Sequence, residues 1–377
     1  MMWPQGFRSA GVTCGIKASG ESDLGVILAD APVVWSGTFT KNAAAAPSVH
    51  WSRSRRDGDV RAIVVNSGNA NACAGTAGEQ AVRETVVAAA QTIGCVPEEI
   101  LVASTGPIGI PLPADKVAAA LPDALRALAG SPESFARSIM TTDTKMKIAT
   151  WTGPATIVGV AKGAAMLAPN MATMLAFIAT DARIGRGDLD RLLTAAVART
   201  FDRICVDACE STNDSVFCLA SGAREVDLEG FGRGLEQVCG DLALQMVGDA
   251  EGSTKLLRIR VSGAPDESAA VALGRAVAGS ALWRAAVHGA DPNWGRVLAA
   301  LGSTDRTLDL AQVRLALGDT VVFRGGEPVP GNGAAHAAMR SDEVVLTCVV
   351  GDGQGAAEIL STDLTPAYVT LNAEGST

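Results

Sequence analysis

The 377-residue chain carries few of the side chains that hydrolases and transferases ordinarily use for covalent chemistry. Only three histidines occur, His50, His288 and His336, with no GxSxG elbow, no HExxH helix and no convincing Cys–His pair. A nucleophile that relies on a histidine base therefore has little to draw on. A threonine whose own α-amino group serves as the base needs no such partner, but an internal peptide bond must break first to expose it. The best candidate segment runs from Ala161 to Leu175, AKGAAMLAPNMATML. Small residues lead up to Thr173, so nothing bulky shields the Ala172–Thr173 carbonyl. Pro169-Asn170 sets a bend before it and the apolar run Met174 to Ile178 follows. A bent loop entering a buried strand is a place where a scissile bond can be held under strain. On these residues alone, a Thr beside Pro-Asn is more often a turn hydroxyl than a nucleophile.

Around this candidate the composition excludes several classes. A formal net charge of −9 argues against a nucleic-acid footprint, and the one basic run, Arg53 to Arg56, reads as a solvated loop. The eight cysteines are scattered without a CxxC pair. They read as small buried hydrophobes of a reducing compartment, and metal binding is not expected. The N-terminus shows no charged stretch followed by an apolar one, so no secretory signal is read. Gly163 to Thr180 is free of charge, yet its central Pro-Asn breaks a spanning helix. The expectation is a soluble, cytoplasmic protein with no membrane or nucleic-acid partner.

The elements that must position the candidate alternate strand and helix. Residues 23 to 40 read as two strands, and 61 to 71 as a buried strand feeding a structured Asn/Ser/Gly loop. Residues 76 to 93 form an amphipathic helix with Ala81, Val82, Thr85, Val86 and Ala89 on one face. A strand at Ile100 to Ala103 ends in another small-residue loop, and 114 to 139 look helical. A hairpin turns at Gly153-Pro154. Beyond 173 follow strand, helix, strand and helix, with the clearest amphipathic helices at 187 to 200 and 231 to 248. KLLRIRVSGA is a strand, a helix begins after 266, and short strands close the chain. No phosphate-binding glycine fingerprint appears, and the class is α/β with packed layers.

AKGAAMLAPNMATMLAFIATDA resembles the cleavage segment of the ornithine acetyltransferases, also called glutamate N-acetyltransferases. GIKASGESDLGVIL, AIVVNSGNANACAG, ASTGPIG, IMTTDT, STNDS, DAEGSTK, HGADPNWGR and the terminal TLNAEGST occur in that family's order over essentially the whole chain. The resemblance implies a layered α-β-β-α sandwich in two lobes. It also implies self-cleavage after Ala172 into an α chain, 1–172, and a β chain, 173–377, two of each assembling as a heterotetramer. Thr173 would take the acetyl group from N2-acetylornithine and pass it to glutamate by a ping-pong route with no metal or cofactor. Acetyl-CoA as a further donor leaves no readable mark.

Carried over by motif, Thr105 and Gly106 match the oxyanion-hole positions; Ser-Thr-Gly is also an ordinary strand-to-turn sequence. Lys162 matches a substrate-binding position, where it would neutralise a carboxylate unless it is a solvated strand end. Thr142 joins it, with Thr141 and Thr144 as alternatives. Glu251 matches the carboxylate that faces the amino end of ornithine, and Asn372 and Thr377 the pair that closes over the substrate. Asn213 and Asp214 either orient the cleavage loop or hold a turn. Asp291 reads as a helix cap and Trp294 as a core anchor. Ala165 stands where the family usually has glycine, which would strain the loop if that position needs a positive φ. Gly375 replaces a common aromatic, and Cys209-Glu210 a more usual acidic-Thr pair. Three alternatives remain: a paralogue with another acyl acceptor, a self-cleaving amidase or aminopeptidase, and an uncleaved homologue that only binds an amino acid.

Overall fold

The computed structural model describes residues 1–165, 174–207, 209–331 and 333–374. They form two compact units, one built from Met1–Asp202 and Cys209–Met246 and the other from the remaining described residues.

In chain order the first unit contains β1 (Phe7–Val12), β2 (Leu24–Phe39), α1 (Pro47–Arg53), β3 (Val60–Ser67), α2 (Gly75–Ile93), β4 (Ile100–Thr105), α3 (Ala114–Arg126), α4 (Glu133–Ser138), β5 (Lys147–Thr152), β6 (Thr156–Lys162), β7 (Leu175–Arg183), α5 (Arg186–Arg199), β8 (Ser215–Glu225) and α6 (Leu228–Val247). The strands run in the order β4-β3-β2-β8-β7-β6-β5, with β1 also paired to β2. Where turn residues suggest two strands in 23 to 40, the chain makes one of 16 residues. The expected break survives as a register shift between Leu28 and Val33, around Asp30-Ala31-Pro32, where proline has no N–H to donate. The N-terminal half of β2 pairs with β1 and β3, and its C-terminal half with β8.

β2 thereby belongs to two layers. Leu24, Val26, Val64 and Val102 point one way and pack under Val82, Val86 and Leu121 of α2 and α3. Ile27, Ile63 and Leu101 point the other way and are just as buried, so a second layer must cover them. On β6, Gly159 approaches Val238 and Leu242 of α6. On the opposite face of that layer Phe177 stacks on Phe217 at 5.5 Å and meets Phe135 edge-on at 5.1 Å. Helix, sheet, sheet and helix are the layers of this unit. Burial on both faces explains why β7 reads LAFIATDA, apolar almost throughout rather than alternating.

The second unit contains β9 (Leu256–Ala264), α7 (Glu267–Ala278), α8 (Ala281–His288), α9 (Trp294–Thr304), β10 (Arg314–Leu317), β11 (Thr320–Arg324), β12 (Glu327–Pro328), α10 (Gly333–Met339), β13 (Glu343–Val349), β14 (Gly355–Thr362) and α11 (Pro366–Glu374). Its sheet runs β12-β11-β10-β13-β9-β14, with Leu273, Val277, Trp283 and Leu301 covering Ile259, Leu346 and Ile359.

Two long helical readings divide in the structure. The one at 114 to 139 breaks at Gly130-Ser131-Pro132, where Ala129 pairs with Ser9 and Gly130 accepts the Trp3 N–H at 2.7 Å. The one after 266 stops at Gly279 and restarts when Ser280 Oγ accepts the Trp283 N–H at 3.3 Å. The basic run is also more engaged than a solvated loop. Arg53 donates to the Thr40 carbonyl at 2.6 Å, Arg56 to that of Gly37 at 2.8 Å, and Arg55 lies over Trp51.

Candidate active site

Thr105 ends β4 and Lys162 ends β6, and along the pairing order those strand ends lie far apart. The fold-over of the sheet brings them together: Lys162 Nζ donates to Thr105 Oγ1 at 3.1 Å, and both residues are 2% exposed. Lys162 is thus a buried charge and not a solvated strand end. Gly106 follows with φ +140°, and a Cβ there would stand 2.4 Å from Asn69 N and 2.5 Å from Gly68 C. Both the angle and the backbone contact demand glycine. The Asn69 N–H reaches the Thr105 carbonyl at 3.0 Å, and the Ala70 N–H that of Pro107 at 3.0 Å. Asn213 Nδ2 then donates to the carbonyls of Ala70 at 2.7 Å and Ser104 at 2.9 Å. NSGNAN, STG and STND, distant in sequence, form one hydrogen-bonded cluster.

Sequence reasoning missed the group that balances Lys162. Asp143, one residue after the half-buried Thr142, accepts from Lys147 Nζ at 2.6 Å and the Gly163 N–H at 2.7 Å through Oδ1, and from the Thr141 N–H at 3.1 Å through Oδ2. Burial works to raise its carboxyl, but the charges of Lys162 and Lys147 and these bonds outweigh it and hold the group at about 2. A carboxylate between two buried lysines needs no sequence spacing to form. The one available signal was the opposite charges at 143 and 147, four residues apart, the second of them opening β5.

Asp214 is fully buried. Its Oδ1 accepts the Met174 N–H at 2.9 Å, and Oδ2 has no hydrogen-bond partner among the described residues. Burial pushes this carboxyl well above the usual range, against the Met174 N–H, a looser polar contact from Ser211 and the charge of Lys162. Of the two roles open to STND, Asn213 ties the loops together and Asp214 holds the start of β7.

In the second unit Asn372 Nδ2 donates to Glu251 Oε2 at 3.2 Å, and Glu251 Oε1 is buried without a partner among the described residues. Gly252, at φ +64°, lets α11 come close, since a Cβ there would stand 2.4 Å from Tyr368 N. Lys255 of the same motif donates to the carbonyls of Val287 and Met339 at 2.8 and 2.7 Å, a structural use. Asp291 does not cap α9: the N-cap is Asn293, whose Nδ2 donates to Asp291 Oδ2 at 3.1 Å. Trp294 does anchor, 5.1 Å from the Phe323 ring.

The structure therefore brings Thr105, Gly106 and Lys162 together in one unit and Glu251 and Asn372 together in the other. Ala172, Thr173 and Thr377 lie outside the described residues. Ala165 is not among the non-glycine residues with positive φ, which are Asn71, Cys73 and Ala290, so the strain considered for it does not arise there. Among the described residues no group of three or more His, Cys, Asp or Glu is placed to hold a metal. None of their helices is long and apolar enough to cross a membrane.

Residues 8–377 match the model of the ArgJ family. The chain is 44% identical over 374 residues to the arginine biosynthesis bifunctional protein ArgJ of Thermus thermophilus, covering 98% of each chain. It is 43% identical over 380 residues to the protein of the same name from Thermobifida fusca, covering 99% of each. The crystal structure of arginine biosynthesis bifunctional protein ArgJ from Bacillus halodurans is similar with TM-score 0.50 at 34% identity. It covers 52% of this chain but 96% of that one.

Proposed function

This chain belongs to the ArgJ family, and from that premise we propose that it moves an acetyl group from N2-acetylornithine to glutamate through an acetyl ester on Thr173. It is an acyltransferase of arginine biosynthesis. The threonine is exposed by the chain's own cleavage after Ala172, giving the pieces 1–172 and 173–377.

One observation carries the reading. Lys162 lies opposite Leu175 in the β6–β7 ladder, and its ammonium touches Thr105. Residue 173 is two residues before Leu175, so chain length alone keeps it within about 7 Å of that strand end. On this reading a nucleophile at 173 would draw on the buried ammonium of Lys162 and on the loop around Gly106. Gly106, with no side chain, leaves the backbone open to a developing oxyanion, and Thr105 contributes a hydroxyl beside it. Lys162 and Thr142 would hold the substrate carboxylate, while Glu251, Asn372 and Thr377 would hold its amino end and close over it. The exchange calls for no metal or cofactor, and acetyl-CoA would enter only as an alternative donor.

Strands on either side of the cut are neighbours in one sheet: β6 from the first piece pairs along its length with β7 from the second. Two pieces joined by such a ladder would stay together after cleavage. By the same resemblance two cut copies would associate as a heterotetramer. Eight free thiols suit the cytoplasm.

Intact mass under denaturing conditions, with an ornithine-release assay, tests the proposal. Two masses dividing at 172/173 and transfer to glutamate are expected, whereas Thr173→Ala should remain one polypeptide without transfer. Undiminished transfer by the Thr173→Ala protein would remove the nucleophile assignment.

A further inference from the structure

Asp363 directly follows β14 and is 1% exposed, yet its carboxylate is fully engaged. Oδ1 accepts the N–H groups of Thr254 at 2.8 Å and Lys255 at 3.0 Å. Oδ2 accepts the Thr254 hydroxyl at 2.5 Å and meets Nδ1 of His288, the last residue of α8, at 3.0 Å. Two bonds to each oxygen fill the capacity of a carboxylate. Burial works to raise this group, but the bonds from Thr254, His288 and Lys255 outweigh it and hold it below the usual carboxylate range. The backbone strengthens the same joint. The Asp363 N–H donates to the Lys255 carbonyl at 3.3 Å, and the buried Arg284 donates to the carbonyls of Thr362 at 2.8 Å and Asp363 at 3.3 Å. An apolar side chain would fill this space without the cost of desolvating a charge. What the carboxylate adds is a fixed course for the chain at 254–255.

That stretch ends the turn that carries Glu251. Ser253 closes the turn with its N–H and hydroxyl on the Ala250 carbonyl, at 3.1 and 2.9 Å, and Gly252 takes φ +64°. Two residues beyond Asp363, Thr365 Oγ1 donates to the Gly252 carbonyl at 2.6 Å and accepts the Tyr368 N–H at 3.0 Å. The Tyr368 carbonyl accepts from Asn372 Nδ2 at 2.9 Å, the nitrogen that also donates to Glu251 Oε2. The segment from 363 to 372 thus grips the turn at Thr254–Lys255, at Gly252 and at Glu251. Glu251 Oε1 is left buried and without a hydrogen-bond partner among the described residues, an acceptor available to an ammonium.

We propose that Asp363 is a positioning residue for the ornithine half of the transfer, fixing the 250–255 turn so that Glu251 meets the free amino group of N2-acetylornithine already in place. This rests on Glu251 holding the amino end of that substrate. A long acidic side chain on a turn would otherwise lose its freedom at the moment of binding, at the expense of affinity. Glutamate carries a carboxylate where ornithine carries its amino group, so its half-reaction makes no such demand on Glu251. A device that acts through Glu251 therefore separates the two substrates.

Initial rates of ornithine release, with each substrate varied in turn, give a separate kcat/KM for N2-acetylornithine and for glutamate in a ping-pong exchange. Rates are taken per cut chain, counted by intact mass. Asp363→Asn keeps the shape but turns an N–H toward donors. It should lower kcat/KM for N2-acetylornithine by at least about tenfold, the scale of a misplaced binding group, mainly through KM, with the value for glutamate little changed. In a Glu251→Gln background the same substitution should add less than about twofold, the margin that separates coupled from independent effects. A field effect of the lost charge would persist there and add in full. An unchanged value for N2-acetylornithine, equal losses for both substrates, or full additivity with Glu251→Gln each overturns the proposal. Should Asp363→Asn show no cooperative melting transition, Thr254→Val takes its place, since it removes one of the four bonds and keeps the charge. A smaller loss confined to N2-acetylornithine then supports the role, and no loss or an equal loss for both substrates overturns it. Glu251→Gln alone separates the two ideas. If it handles N2-acetylornithine as wild type does, the placement of Glu251 at the substrate fails, whereas an impaired Glu251→Gln beside an unaffected Asp363→Asn sinks only the role of Asp363.

Discussion

Replacing Asp143 by Asn is the most demanding test of the buried charge cluster. The substitution keeps the shape of the side chain and can still accept from the Gly163 or Thr141 N–H. It leaves Lys147, at 1% side-chain exposure, and Lys162, at 2% residue exposure, without their shared carboxylate. Removing one partner of a buried pair costs about 3–5 kcal/mol, because the remaining charge stays buried and uncompensated. For a unit of this size each kcal/mol moves the melting midpoint about 2–4 °C, so a drop of about 10 °C is expected at pH 7. Acid supplies an independent estimate. The Asp143 carboxyl falls from an ordinary 3.8 to about 2 on folding, a shift equivalent to roughly 2 kcal/mol. Because the folded value is the lower one, this stabilisation is complete above the unfolded value and is lost as pH falls through the folded one. Thermal melting between pH 5 and 1.5, followed by circular dichroism, should therefore show the gap between wild type and Asp143→Asn closing by about 2 kcal/mol in that window. Adding Lys147→Met to Asp143→Asn should recover part of the loss, since one stranded charge is removed. A single-variant midpoint within 2 °C of wild type at pH 7, on a scale where a kcal/mol is worth about 2–4 °C, would refute the claim that the carboxylate compensates the two lysines.

Gly106→Ala forces a Cβ to 2.4 Å from Asn69 N at φ +140°, a strain of about 1–3 kcal/mol. It should lower kcat by roughly 100-fold or more if this loop supplies the oxyanion donor, with KM little changed in steady-state transfer assays. Gly252→Ala meets Tyr368 N at 2.4 Å and should loosen α11, seen as faster amide exchange across Pro366–Glu374 with the rest of the chain unaffected. Phe177→Ala, in the stacked aromatic group between the two sheet layers, should cost about 3–5 kcal/mol in chemical denaturation. A loss below about 1 kcal/mol would mean that the layers close around the gap.

How far the sequence was legible depends on whether the deciding contact was local. The 76 to 93 helix, the Gly153-Pro154 hairpin and the β9 strand were readable because periodicity and turn residues act within one element. The helical readings at 114 to 139 and after 266 ran too long, because what ends them is a partner: Ser9 and Trp3 in one case, the Ser280 cap in the other. The unity of β2 was hidden for the same reason, since Asp30-Ala31-Pro32 looks like a turn and acts as a fold line. That fold line governs the site. Without it the strand ends of β4 and β6 stay apart, Lys162 cannot meet Thr105, and Asn213 cannot bridge Ala70 to Ser104. Thr105, Gly106 and Lys162 could be nominated by resemblance, since each sits in a recognisable motif. Asp143 and the buried state of Asp214 could not, because their charge states are set by lysines and loops brought in from elsewhere in the chain. A motif therefore nominates the candidate residues, while the buried groups that set the charge around them become visible only once the sheet is folded.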